Sequence, residues 1–125
     1  MFDRVSTNMA PAAIGPYSQA VWAGDFLYLS GMMPIDPATG ALEPADIAAQ
    51  AARIMKNIEA VLTEAGLTQE NVVKTTCFLS DMANFAAFNE VYGAYFTSKP
   101  ARSCVAVREL PKGALAEVEV IAYRG

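Results

Sequence analysis

No histidine occurs anywhere in the 125 residues. That absence removes Ser-His-Asp and Cys-His nucleophilic machinery, histidine-ligated zinc and histidine-based acid–base cleavage of RNA. The two cysteines, Cys77 and Cys104, fall short of a standard structural zinc site without histidine, and two free thiols are the expected state in a reducing compartment. No apolar run approaches the roughly 20 residues of a membrane-spanning helix. The start, Met1 to Ser6, shows no basic segment leading into an apolar one, so the expected location is the cytoplasm. Positive charge is scarce as well: nine Lys and Arg stand against thirteen Asp and Glu. They are scattered from Arg4 to Arg124 without the basic stripe that displaces counterions from phosphates, so no nucleic-acid partner is expected. Any chemistry must come from carboxylates, Arg, Tyr, Ser, Asn, backbone groups and water.

What is abundant is apolar surface, at 54% of residues. With no membrane span to absorb it, some of it must be covered by a subunit interface, and a homo-oligomer is expected. The length suits one domain, residues 1–125, with a core large enough to need neither disulfide nor metal.

Proline and glycine punctuate the chain. Ala10 to Pro16 reads as a fixed loop, since Pro11, Gly15 and Pro16 fall within it. Tyr17–Trp22 and Phe26–Ser30 read as strands joined by a tight hairpin at Ala23-Gly24-Asp25. Pro34 to Pro44 is a surface loop. Asp46 is an N-cap candidate for a helix whose apolar stripe is Ile47, Ala51, Ile54, Met55, Ile58, Val61, Leu62 and Ala65, with Gln50, Arg53, Asn57 and Glu64 on the opposite face and Gly66 at C′. Val72–Ser80 is strand-like. A second helix is expected from Asn84 to about Thr97, striped by Phe85, Phe88, Tyr92, Tyr95 and Phe96 and stopped before Pro100. Ser103–Arg108 and Leu115–Tyr123 complete the strands, around a turn at Pro111-Lys112-Gly113. The fold class is α+β: a single mixed sheet with two helices packed on one face, and the bare face buried by another subunit.

Several residues suit chemistry. Arg102 opens a strand that is apolar from Cys104 to Val107. Its permanently charged planar fork suits a substrate carboxylate; from the bare sequence a structural salt bridge, as to Glu117 or Glu119, is the reading favoured over it. Those two acids share one face of the last strand, where they are costly unless partnered, and one of them suits the holding of a hydrolytic water. If the last two strands form a hairpin, Arg102 and the acids share a face; a one-residue slip reverses this. Tyr17 follows a rigid loop and suits either a ligand cover or a core position. Gly31, after Ser30, suits close approach to the backbone or a simple turn. Asn89 lies at the edge of the aromatic stripe and needs partners if buried. Cys104 has no base to activate it and suits packing.

The segment Ala10-Pro11-Ala12-Ala13-Ile14-Gly15-Pro16-Tyr17-Ser18-Gln19-Ala20 resembles the N-terminal signature of the RidA/YjgF family of enamine/imine deaminases. Leu29-Ser30-Gly31, Val73-Lys74-Thr75-Thr76, Phe88-Asn89 with Tyr92, Pro100-Ala101-Arg102-Ser103-Cys104-Val105, Leu110-Pro111-Lys112 and Glu117-Val118-Glu119-Val120-Ile121-Ala122 extend the resemblance over the whole chain. It implies a chorismate-mutase-like fold, a homotrimer with sites between subunits, and hydrolysis of the imine forms of 2-aminoacrylate and 2-aminocrotonate to 2-oxo acids and ammonia without metal or organic cofactor. It further implies a metabolic link to the pyridoxal-phosphate-dependent dehydratases that release such species. Carried over, Arg102 grips the substrate carboxylate, Glu117 orients the attacking water, Cys104 contributes mainly backbone, and Tyr17, Ser30, Gly31 and Asn89 line the cleft. Met32 departs from the glutamine common after Ser-Gly, and Tyr95 to Pro100 is a short segment; both bear on substrate preference. Two further readings stand beside this one. They are a non-catalytic sensor of 2-oxo acids using the same cleft, and a ribonuclease or translation inhibitor, which the charge and the missing histidine disfavour.

Overall fold

The computed structural model describes residues 3–125. Six strands and two α-helices follow in the order β1 (Arg4–Val5), β2 (Ala20–Ala23), β3 (Phe26–Met32), α1 (Ile47–Glu64), β4 (Val72–Leu79), α2 (Phe85–Tyr95), β5 (Ala101–Ala106) and β6 (Ala116–Tyr123). They build one mixed sheet of order β1-β2-β3-β6-β4-β5. Among the described residues its only parallel pair is β4 with β5, which requires a crossover, and α2 supplies it. Both helices lie on one face of the sheet, so the expected α+β arrangement is the one observed.

Helix α1 starts where Asp46 accepts a hydrogen bond from the backbone N–H of Ala49 at 2.9 Å, as an N-cap does. It ends where Gly66, at φ 79°, lets the N–H of Leu67 reach the Leu62 carbonyl and its own N–H reach that of Thr63. Ile54, Ile58, Val61 and Leu62 are fully buried against the sheet, each stabilising by about 1.5–3 kcal/mol relative to exposure. From the sheet side Leu27, Cys77, Leu79, Val118, Val120 and Ala122 meet them. The other face carries Phe26, Tyr28, Phe78, Val105, Ile121 and Tyr123; Tyr28 remains 43% and Val105 46% exposed. An apolar sheet face left in water is the surface on which the oligomer expectation rests.

Several expectations shift. Strand β1 was not foreseen; two residues are too short to give a pattern. The first hairpin strand starts at Ala20, not Tyr17, because Gly15 and Pro16 force a turn in which the Tyr17 N–H bonds the Gly15 carbonyl. α2 ends at Tyr95, two residues short, and Lys99 adopts φ 57° before Pro100. β5 runs over Ala101–Ala106, not Ser103–Arg108, since its extent is set by pairing with Lys74 to Leu79. Gln50 and Asn57 are not on the solvent side of α1; both are fully buried, because their carboxamides satisfy backbone groups of neighbouring loops. Finally, β5 and β6 do not form a hairpin: β4 lies between them.

Candidate active site

The insertion of β4 decides where the candidate residues go. On β5, Arg102 pairs with Thr75 and Cys104 with Cys77; on β6, Glu119 pairs with Thr76 and Glu117 with Phe78. Side chains alternate across a sheet. Arg102 and Cys104 therefore point to the helix face with buried Thr75 and Cys77, and Glu117 and Glu119 point to the opposite one. The salt bridge from Arg102 to either acid, one of the two sequence readings, is not formed.

On the open face, β3 carries a bulge. Leu29 pairs with Val120 and Met32 with Val118, so three steps on β3 oppose two on β6. This extra residue keeps Leu27, Leu29 and Met32 all in the core while freeing Ser30 and Gly31 from it. Gly31 then lies against Glu117: a Cβ there would stand 2.9 Å from Cδ and 3.1 Å from Oε1 of Glu117. Only glycine leaves room for that carboxylate. The Ser30 hydroxyl donates to the Ser18 carbonyl at 2.6 Å, tying the bulge to the loop that carries Tyr17. Tyr17 is 53% exposed, which removes the core reading for it. Together Ala12, Ile14, Tyr17, Ser30, Gly31, Met33, Ile35, Phe78, Pro111, Lys112, Glu117 and Glu119 surround a cavity of about 810 Å³. Half-buried in it, Glu117 has its pKa raised, first by burial and then by the neighbouring charge of Glu119. A carboxyl in such a setting takes up and gives back a proton closer to neutrality.

Across the sheet, the Arg102 guanidinium donates to Asn89 Oδ1 at 2.5 Å and lies 4.8 Å from the centre of the Tyr92 ring and 5.5 Å from that of Phe85. Tyr92 is itself fixed by a 2.6 Å hydrogen bond between its hydroxyl and that of Thr75. Among the described residues no carboxylate lies within salt-bridge distance of Arg102. The guanidinium is thus held by one neutral oxygen and two aromatic faces, with donors to spare, at the mouth of a hollow lined by Asn89, Tyr92, Pro100 and Arg102. Cys104 sits half-buried opposite Cys77, and burial raises the pKa of both thiols, that of Cys77 to about 12. Burial thus disfavours the thiolate form of both.

The sequence candidates therefore fall into two half-sites within one chain: Tyr17, Ser30, Gly31 and Glu117 on one face, and Asn89, Arg102 and Cys104 on the other. Among the described residues no cluster of three or more Cys, Asp or Glu side chains could hold a metal ion. A further hollow of about 680 Å³, between α1 and the loops at Thr7–Met9 and Asp36–Ala38, contains none of the candidates. Sequence reasoning missed Phe78, Met33 and Ile35, which wall the cavity. Phe78 was within reach, since strict alternation on β4 puts it on the face away from Cys77 and Leu79; the other two follow the bulge, which no pattern revealed.

The chain is thus a small α+β protein with one mixed sheet, a half-buried acid at a glycine bulge on one face and an arginine without a carboxylate partner on the other. Residues 7–124 match the model of the endoribonuclease L-PSP family, and the chain belongs to that family, the RidA/YjgF group that its motifs resemble. It is 46% identical to the 2-iminobutanoate/2-iminopropanoate deaminase of Escherichia coli strain K12, with 99% of each chain covered. Among solved structures it superimposes on the YjgF gene product from E. coli with a TM-score of 0.94 at 45% identity, covering 98% of this chain and 99% of that one. It superimposes equally on E. coli TdcF with bound serine, with a TM-score of 0.94 at 41% identity and coverage of 98% and 99%. No helix among the described residues is long and apolar enough to cross a membrane.

Proposed function

We propose that the protein hydrolyses small 2-imino acids, the tautomers of 2-aminoacrylate and 2-aminocrotonate, to 2-oxo acids and ammonia, at sites formed between copies of the chain. The observation that carries the reading is the split of the two half-sites. Arg102 has unused donors and no carboxylate of its own, and Glu117 is a proton-accepting acid on the other side of the same sheet. A second copy docked on the open face brings one copy's arginine to another's acid, and a homotrimer closes such a ring. The relatives named as deaminases and the structure of TdcF with bound serine, itself a small amino acid with a carboxylate, support the substrate class.

The chemistry is modest. The imine carbon is already electrophilic, so the protein needs to hold the carboxylate and place a water. The Arg102 fork takes the carboxylate through parallel hydrogen bonds. Glu117 accepts a proton from water as its oxygen bonds to C2 and the C=N π pair moves to nitrogen. The protonated acid returns that proton to nitrogen, giving the carbinolamine; Glu117 then takes the hydroxyl proton and passes it to the amino nitrogen, so that the C–N bond breaks, the hydroxyl oxygen becomes the carbonyl and ammonia leaves. Positioning of water and substrate supplies much of the acceleration, and no cofactor enters the balance. Such imines arise from pyridoxal-phosphate-dependent dehydratases of the cytoplasm, where this reading places the protein.

The test generates 2-aminoacrylate with a serine dehydratase and traps free imine with semicarbazide. The wild-type protein at micromolar concentration is expected to suppress the semicarbazone while pyruvate release continues, and Arg102→Ala is expected to leave trapping untouched. Unchanged trapping with wild type sinks the enzyme reading. Tight binding of 2-oxobutanoate with no turnover would instead favour the metabolite sensor. RNA cleavage that weakens steeply with salt would favour the family's ribonuclease description.

A further inference from the structure

We infer that Gln19 is a positioning residue of the cleft, which sets the wall carrying Ile14 and Tyr17 against the Ser30–Gly31 bulge and so controls how tightly substrate is held. The inference rests on the proposed cleft but not on turnover within it.

Gln19, immediately before β2, is buried, with 7% exposure. Every hydrogen-bonding group of its side chain is spent on one loop. Nε2 donates to the carbonyls of Thr7 at 3.0 Å, Pro11 at 2.7 Å and, more weakly, Ala10 at 3.4 Å, while Oε1 accepts from the Thr7 N–H at 2.7 Å. Its backbone faces the other way: the Gln19 carbonyl accepts from the Ser30 N–H at 3.0 Å, next to the Ser18 carbonyl that takes the Ser30 hydroxyl. One residue thus joins the N-terminal loop to the bulge that makes room for Glu117.

The stretch between those two anchors has little else to hold it. Among the described residues, Ala12 to Pro16 make no hydrogen bond to the rest of the protein; the only backbone bond there is the local one from the Tyr17 N–H to the Gly15 carbonyl. Yet Ala12, Ile14 and Tyr17 wall the cavity opposite Glu117, and Ile14 is 83% exposed, so packing does not fix it either. The wall hangs between the Gln19 clasp at Thr7–Pro11 and the Ser30 ties at Ser18–Gln19. Releasing the clasp frees the wall but touches neither Arg102 nor Glu117. The expected effect therefore falls on ligand retention and not on the chemical step.

The variant is Gln19→Met, which keeps the length and apolar stem and deletes all four bonds. Its KM for 2-iminobutanoate and its Kd for 2-oxobutanoate, measured by calorimetry, are expected to rise about tenfold or more, with kcat within about twofold of wild type. A residue needed only for folding would instead lower the active fraction, reducing kcat at unchanged KM, and that result, or a KM and Kd within twofold of wild type, overturns the inference. Should Gln19→Met fail to fold by circular dichroism, Gln19→Glu retains the acceptor for Thr7 and carries the same readout; failure of both to fold assigns Gln19 to the core alone and overturns the inference. If wild type shows no turnover but binds 2-oxobutanoate, and Gln19→Met weakens that binding, the deaminase reading falls while the inference stands. If wild type turns over and Gln19→Met matches its KM, the reverse holds.

Discussion

Mixing two dead variants tests where the site is. Arg102→Ala removes a charged carboxylate partner, a loss of about 2–5 kcal/mol in comparable charge pairs. Glu117→Gln removes the proton acceptor, typically a factor of about 10²–10⁴. Each protein alone should be nearly inactive. Arg102 and Glu117 leave the sheet on opposite faces, Arg102 beside Thr75 and Glu117 beside Phe78, so the proposed site has to draw them from different copies. In an equal, random mixture one site in four combines an arginine from a Glu117→Gln copy with an acid from an Arg102→Ala copy. Activity should then recover to about a quarter of wild type, whatever the size of the closed ring. The assay is refolding from a common denatured pool, followed by the imine-trapping measurement at matched total protein, with each variant refolded alone as the control. Recovery no greater than the average of the two separate variants would show that one chain, or no chain, carries the site, and the argument from opposite faces would be wrong.

Other outcomes follow from the same geometry. Because burial and Glu119 raise the Glu117 pKa, kcat should fall as pH drops, at a higher pH than for an ordinary glutamate; Glu119→Gln, which removes the second cause, should move that fall to lower pH in a pH–rate profile. The same shift carries a stability sign. A raised folded-state pKa contributes stability that is present below the ordinary glutamate value and lost as pH rises through the folded one. Glu117→Gln should therefore gain on wild type in urea melts at pH 7 and not at pH 4. Gly31→Ala puts a Cβ 2.9 Å from Glu117 Cδ; displacing that carboxylate should cost about a hundredfold in kcat/KM while circular dichroism stays native. Tyr92→Phe leaves the buried Thr75 hydroxyl only the weak contact from Cys77 Sγ at 4.0 Å in place of its 2.6 Å partner, and should lower unfolding free energy by about 1–3 kcal/mol; an unchanged urea midpoint would contradict that hydrogen bond.

How much was legible varied with the range of the cause. Helix α1 was readable end to end, since Asp46, the apolar stripe and Gly66 are local signals. Gln50 and Asn57 were misassigned because the same pattern cannot tell a polar side chain facing water from one facing a loop. Asn57 donates to the carbonyls of Met33 and Ile35, and Gln50 accepts from the Leu115 N–H while donating to the carbonyls of Glu43 and Pro44; those partners lie up to 65 residues away. The candidate residues were read from chemistry and resemblance, but a salt bridge from Arg102 to Glu117 or Glu119 stayed open until the strand order was known.

By itself, then, the sequence determined what chemistry was available: no histidine, two free thiols, one arginine in a strand mouth, two acids on one strand face, and an apolar excess that calls for a partner surface. It also determined the elements whose signals lie within a turn or a strand. Only the tertiary structure decided that β4 enters between β5 and β6, because strand order is a long-range choice settled by which apolar faces bury together and not by neighbours in the chain. That choice puts Arg102 and Glu117 on opposite sides of one sheet. The bulge at Ser30–Gly31 was decided in the same way, by the need to keep Leu29 and Met32 both in the core, and it is what opens space for the Glu117 carboxylate.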